Sequence, residues 1–142
     1  MNDDRLIVTE HRAGRPILLA LLSVPVTCFT GTLATDITYA STANMMWANF
    51  SAWLLAAAMV GSVLALIVWG IGLVIERRGR RARPAWPAVG GAVVVLVLGF
   101  LDNLVHSRDG WTSVVPAGLS LSVLTVLAML VTGWLGSAPV RS

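Results

Sequence analysis

The sequence predicts an all-α integral membrane protein, a four-helix, up-down antiparallel bundle with both termini cytoplasmic. Three observations carry that expectation. Of the 142 residues, 56% are hydrophobic and 12% charged, against about 25% charge in ordinary soluble domains. The apolar residues gather into four runs, each near the ~20 residues a helix needs to cross a bilayer. All ten basic residues are arginine, and nine of them fall where a four-span chain keeps one side.

The first span is expected at about 17–35, after a cytoplasmic segment 1–16 that carries Arg5, Arg12 and Arg15. A secretory signal is the competing reading of this start. Asp3, Asp4 and Glu10 in the leader, with Pro25 in mid-segment, argue against it. The second span is expected at about 49–75, followed by "RRGRRAR" (77–83). In a soluble chain that tract would suggest nucleic acid; between two spans it reads as a cytoplasmic anchor, so no nucleic-acid partner is expected. Glu76 can pair with Arg80 one helical turn away.

The third and fourth spans are expected at about 85–105 and 113–136, completing a transmembrane domain over 17–136 before the tail 137–142. "SRDG" between them is short and contains Asp-Gly, a turn signal, so these helices are antiparallel neighbours. Thr112 or Ser113 can cap the fourth helix, with Pro116 in its first turn. Strands are excluded by the lack of period-two alternation. Helices remain, because a spanning segment must satisfy its own backbone hydrogen bonds.

Arginine also orients the chain. Only Arg108 lies on the opposite side, and the first loop, 36–48, has no basic residue. Trp47 and Trp111 are then expected at the outer interface and Trp86 and Trp134 at the inner one. Trp53 and Trp69 lie deeper, as packing or lipid contacts. Small residues at four-residue spacing, Ala57, Gly61 and Ala65 on the second helix and Ala128, Thr132 and Gly136 on the fourth, mark where backbones can approach. Cys28, the single cysteine, is read as a small buried hydrophobe.

"GRPILLALLSVPVTCFTGTLATDITYA", "WLLAAAMVGSVLAL", "NLVHSRDGWTSVVPAGLSLS" and the terminal "VTGWLG" resemble the bacterial four-helix predicted membrane protein family, domain of unknown function 2231. The resemblance runs from Gly14 to Gly136 and is most specific in His106-Ser107-Arg108-Asp109-Gly110-Trp111 and Gly133-Trp134-Leu135-Gly136. It implies architecture rather than activity. Relatives open with Gly-His-Pro-x-His-Pro, where this chain has Gly14-Arg15-Pro16-Ile17-Leu18-Leu19. They also extend past the Gly-Trp-Leu-Gly element with a glycine- and tyrosine-containing tail, so roles resting on either feature do not transfer.

The chemistry-bearing stretch is "GFLDNLVHSRDGW" (99–111). Asp102 lies ~25 Å along the helix from Ala85, just inside the far boundary of a ~30 Å core. His106 is one turn further on the same face. Asp36, expected to end the first helix, reaches the same level. The candidate cluster is therefore Asp36, Asp102, Asn103, His106, Arg108 and Asp109. One reading is a plain helix exit, with polar groups meeting headgroups and water. The other is a proton-active or ligand-binding site on the periplasmic side, because carboxylates within a span are costly and face the bundle interior.

Several function classes lose support. The only histidines, His11 and His106, stand at opposite ends of the span set, so a bis-histidine haem is disfavoured and no cofactor is expected. A single-histidine haem with Met45, Met46 or Met59 opposite is the weaker variant, since methionine is normally filler. Small multidrug exporters have a membrane-embedded Glu in the first helix, and this first segment has no acidic residue before Asp36. Neither a nucleophile–base pair nor a phosphate loop nor a metal cluster is evident, and an enzyme is not expected. The sequence therefore points to a multi-pass protein of the bacterial inner membrane. Its expected role is that of a non-enzymatic accessory or interaction subunit, in the lipid bilayer with other membrane subunits or a second copy of itself. The alternative is a small transport or electron-transfer component with a periplasmic-side polar site.

Overall fold

A computed structural model of the chain describes residues 3–78, 86–108 and 114–137, with side chains over 16–74, 86–108 and 114–137. Four helices account for nearly all of it: α1 (Asp3–Thr42), α2 (Met45–Arg78), α3 (Trp86–His106) and α4 (Leu119–Ser137). Their apolar stretches, Pro16–Thr42, Met45–Val74, Trp86–His106 and Val114–Ser137, are each long enough to cross a membrane. α1 packs along α2 and α3 along α4, while α1–α4 and α2–α3 contacts close the ring. The four-helix membrane bundle is therefore as the composition requires.

Helix limits differ from those read off hydropathy. α1 begins at Asp3 and continues to Thr42, and α2 starts at Met45, so the anticipated loop over 36–48 shrinks to Ala43 and Asn44. The reason is local. Thr38, Ser41 and Thr42 return their hydroxyls to carbonyls three or four residues back, at 2.7–2.9 Å, and so remain helical despite their polarity. The chain then breaks at Ala43, which adopts φ 50. Asn44 caps α2, its Oδ1 accepting from the Met46 N–H at 3.0 Å. Hydropathy marks where the apolar run stops, and a helix can continue beyond that point.

α4 also differs. Pro116 lies in a kinked lead-in, Val114–Gly118, where Val115 is extended (φ −120, ψ 127) and the Val115–Pro116 peptide is cis. The capping candidates Thr112 and Ser113, the arginine tract's side chains, Glu76, His11, Trp111 and Asp109 lie outside the described side chains.

The buried positions form a narrow seam on each helix. On α2 they are Ala48, Ser51, Leu55, Ala58, Ser62 and Ala65, alternating three- and four-residue steps; on α1, Pro25, Phe29, Thr32 and Asp36 do the same. That is the spacing of helices packed nearly side by side. Gly61 is also buried, and a Cβ there would stand 2.9 Å from Val24 Cγ1 and 3.2 Å from Pro25 Cδ, so it admits α1. Ala65 is buried as the small-residue spacing suggests, but Ala57 is exposed. The apolar centre of the bundle is Phe29, Leu55 and Ala58, flanked by Cys28, Met59, Val95 and Met129. Outward faces carry Ile, Leu, Val and Trp, including Trp53, Trp86 and Trp134. Such an exterior suits hydrocarbon rather than water.

Candidate functional site

Directly beside the apolar centre, toward the α1–α2 turn, the seam becomes polar. Asp36, Ser51, Asp102, His106, Ser122, Thr32 and Thr125 are all buried. Each helix contributes: Asp36 and Thr32 from α1, Ser51 from α2, Asp102 and His106 from α3, Ser122 and Thr125 from α4. Asp36 is six residues before the end of α1, about 9 Å inside it, and is fully buried within the helix instead of terminating it.

Asp36 is the hub. Its Oδ1 accepts hydrogen bonds from Ser51 Oγ at 2.5 Å and from His106 Nε2 at 3.0 Å. Its Oδ2 accepts from Ser122 Oγ at 2.5 Å. Ser122 Oγ also lies 2.9 Å from Asp102 Oδ2, bridging the two carboxyl groups. The second ring nitrogen of His106, Nδ1, is 3.0 Å from the Asp102 backbone oxygen and equally 3.0 Å from Asp102 Oδ1. Only the backbone oxygen lies along the N–H direction, which leaves Asp102 Oδ1 buried without a hydrogen-bond partner among the described residues. Thr35 Oγ1 extends the network, 2.7 Å from Ser51 Oγ. Ser51 spends its single hydrogen on Asp36, and Thr35 has one hydrogen for three acceptors, Ser51 Oγ and the Gly31 and Thr32 carbonyl oxygens at 3.0 and 2.9 Å.

Three of the six candidates from the sequence come together: Asp36, Asp102 and His106. All three are buried, whereas a residue leaving a helix into headgroups and water is solvated. Arg108 does suit the helix-exit reading, being exposed just beyond α3, its N–H bonded to Val105 O at 3.2 Å. Asn103 is half-buried and stands outside the hydrogen-bonded set, and Asp109 lies outside the described residues.

Ser51, Ser122, Thr35, Thr32 and Thr125 were not singled out from the sequence. A signal existed: Ser51 repeats with Leu55, Ala58 and Ser62, and Ser122 with Gly118 and Thr125, at three- and four-residue steps inside apolar runs. In a span, small and hydroxyl residues at that spacing mark the inner face. Of the methionines considered as iron ligands, Met45 and Met46 are exposed at the start of α2, while Met59 packs against the apolar centre. His106 has both ring nitrogens turned toward oxygen atoms. Among the described residues, no group of three or more His, Cys, Asp or Glu is arranged to hold a metal ion.

The family model described as Predicted membrane protein (DUF2231) matches residues 14–141. The chain belongs to this family. No curated protein and no solved structure matches it. For this DUF2231 protein the match extends from ahead of the first span to beyond the last, so all four apolar spans and every residue of the buried cluster lie within it.

Proposed function

We propose that this DUF2231 protein is a small proton-exchanging component of the bacterial inner membrane, acting in transport or electron transfer, with Asp36, His106 and Asp102 as its exchange site. The observation behind the proposal is a buried imidazole placed 3.0 Å from oxygens of two buried carboxyl groups that a serine hydroxyl joins. Ionisable groups within spans are expensive, and they commonly mark proton or ion pathways. Linked through Ser122, these three can redistribute a proton without large movement of any helix. An accessory role, which composition favours, makes no use of this arrangement and so ranks second. Ser51 and Ser122 direct their hydroxyls at carboxyl oxygens and neither lies on a His106 nitrogen, which supports a non-enzymatic role. The arginine distribution supports an orientation with the cluster toward the periplasm.

Vesicles reconstituted with the pure protein and loaded with a pH-sensitive dye test this reading under an imposed potential. The wild type should collapse a pH gradient severalfold faster than Asp36→Asn or His106→Gln. Equal rates in all three overturn it. A protein that co-purifies from native membranes in stoichiometric amount, and is lost from both variants, would instead assign the cluster to subunit assembly.

A further inference from the structure

We infer that the cluster is a net-neutral, two-proton unit in which Asp102 is a carboxylic acid and the exchangeable proton sits on its Oδ2, relayed to Asp36 through Ser122. The inference deepens the proton-exchange reading and rests on counting hydrogens. Ser122 Oγ is within hydrogen-bond distance of Asp36 Oδ2 and of Asp102 Oδ2. A hydroxyl has one hydrogen and an ionised carboxylate has none. Two ionised carboxylates would therefore leave one of these contacts as bare oxygen against oxygen. A second hydrogen is required, and one carboxyl group must carry it.

The distribution of donors decides which. Asp36 receives three, from Ser51, His106 and Ser122, the set a buried carboxylate needs. Asp102 has an oxygen, Oδ1, with no hydrogen-bond partner among the described residues, although His106 Nδ1 stands 3.0 Å from it with its N–H on the backbone oxygen. An unpartnered carboxylate oxygen buried among helices is far costlier than the carbonyl oxygen of a neutral acid. Placing the proton on Asp102 Oδ2 makes that oxygen the donor to Ser122 Oγ, and Ser122 the donor to Asp36 Oδ2. His106 then carries both ring hydrogens, Nε2–H toward Asp36 and Nδ1–H toward the Asp102 backbone oxygen. Its positive charge balances Asp36.

No other described charge faces the cluster. The hydrogen-bonded set draws Thr35 and Asp36 from α1, Ser51 from α2, Asp102 and His106 from α3 and Ser122 from α4, while the buried Thr32 and Thr125 turn their hydroxyls to backbone carbonyls of their own helices. Arg108 is exposed. His106 is then one cation beside two carboxyl groups, and ionising both would leave the cluster net negative.

The relay balances atom by atom. The Asp102 Oδ2–H bond breaks as a hydrogen bonds to Ser122 Oγ, and the hydroxyl's original hydrogen passes to Asp36 Oδ2. The proton total is unchanged and the negative charge moves from Asp36 to Asp102. His106 suits both states, because its Nδ1 already stands 3.0 Å from Asp102 Oδ1. The imidazolium is thus a counter-ion shared between two sites of one mobile proton.

Infrared spectroscopy of the purified full chain at neutral pH, labelled with carboxyl-¹³C aspartate, tests the assignment. The wild type should show one protonated-carboxyl C=O band that shifts with the label and in D₂O. Asp102→Asn should abolish it, and Ser122→Ala should keep it but move its frequency, since the acid loses its acceptor. Absence of the band in the wild type, or its survival in Asp102→Asn, overturns the inference. Should Asp102→Asn not fold, ¹⁵N-histidine NMR of the wild type decides independently. Both His106 ring nitrogens should be protonated, and a neutral ring overturns the assignment. These readouts need no flux, so they can fail or succeed separately from the vesicle assay.

Discussion

Asp36 and Asp102 are the same residue type, equally buried, and yet their removal should have different consequences. Asp36 holds three donors in place, including the imidazole, whereas Asp102 holds one hydroxyl. Breaking a buried ion pair by deleting one partner costs about 3–5 kcal/mol. Losing one buried hydrogen bond and leaving its mate unsatisfied costs about 1–3 kcal/mol. An exposed residue away from such features stays within about 0.5 kcal/mol. Thermal unfolding in detergent should therefore rank Asp36→Ala as most destabilised, then Asp102→Ala, with Arg108→Ala near wild type. Asp36→Ala and His106→Ala should combine less than additively, as direct partners do. Equal, negligible effects from Asp36 and Arg108 would return the whole stretch to a helix exit. His106 and Asp102 were legible as a pair because they sit one turn apart on one helix. Ser122, 86 residues from Asp36 in sequence, was not.

Among the helices, glycine determines how closely α3 can lie on the bundle. A Cβ on Gly99 would stand 2.7 Å from Phe29 Cε1 and Cζ and 3.5 Å from Met59 Sδ. Phe29 belongs to the buried centre and has little room to withdraw. Gly99→Ala should therefore destabilise by about 1–3 kcal/mol, as overpacking does, and Phe29→Leu in the same chain should recover part of that loss. Gly90, also on α3, has nothing within 4 Å of its would-be Cβ among the described residues. There alanine's better helix propensity acts alone, so Gly90→Ala should be neutral or stabilising by up to about 1 kcal/mol. Melting both variants in one detergent distinguishes a packing glycine from a free one, and matching shifts would discard the close approach. Gly99 lies one turn before Asp102 on the same buried side of α3, so the close approach to α1 also holds that side inward.

For the whole molecule, arginine asymmetry sets the expected orientation. Nine of the ten arginines lie before the first span, between the second and third spans, or after the fourth. In a Cys28→Ser background, a cysteine at Ser41 should react with an impermeant thiol reagent on intact cells, and one at Gly79 should react only after lysis. The reverse pattern would place the buried cluster on the cytoplasmic side, and any proton exchange with it.

The sequence by itself determined the class, the number of spans and the polar residues available. Those are properties of local composition, since each helix in lipid closes its own backbone hydrogen bonds whatever its neighbours do. Inner faces were harder to read. Around every one of these helices the residues are mostly apolar, so the contrast that reveals a buried stripe in water disappears, and Leu or Val on the surface looks like Leu or Val within. Small and hydroxyl residues carry the inner face instead, and their spacing is suggestive only once the facing helix is known. Tertiary structure alone decided that Asp36 meets His106 70 residues away. It also brought in Ser51 and Ser122, one from α2 and one from α4. That meeting depends on how four helices fit together, through Gly61 against Val24 and Gly99 against Phe29. A fit of that kind is a property of shapes in contact, which no single segment contains.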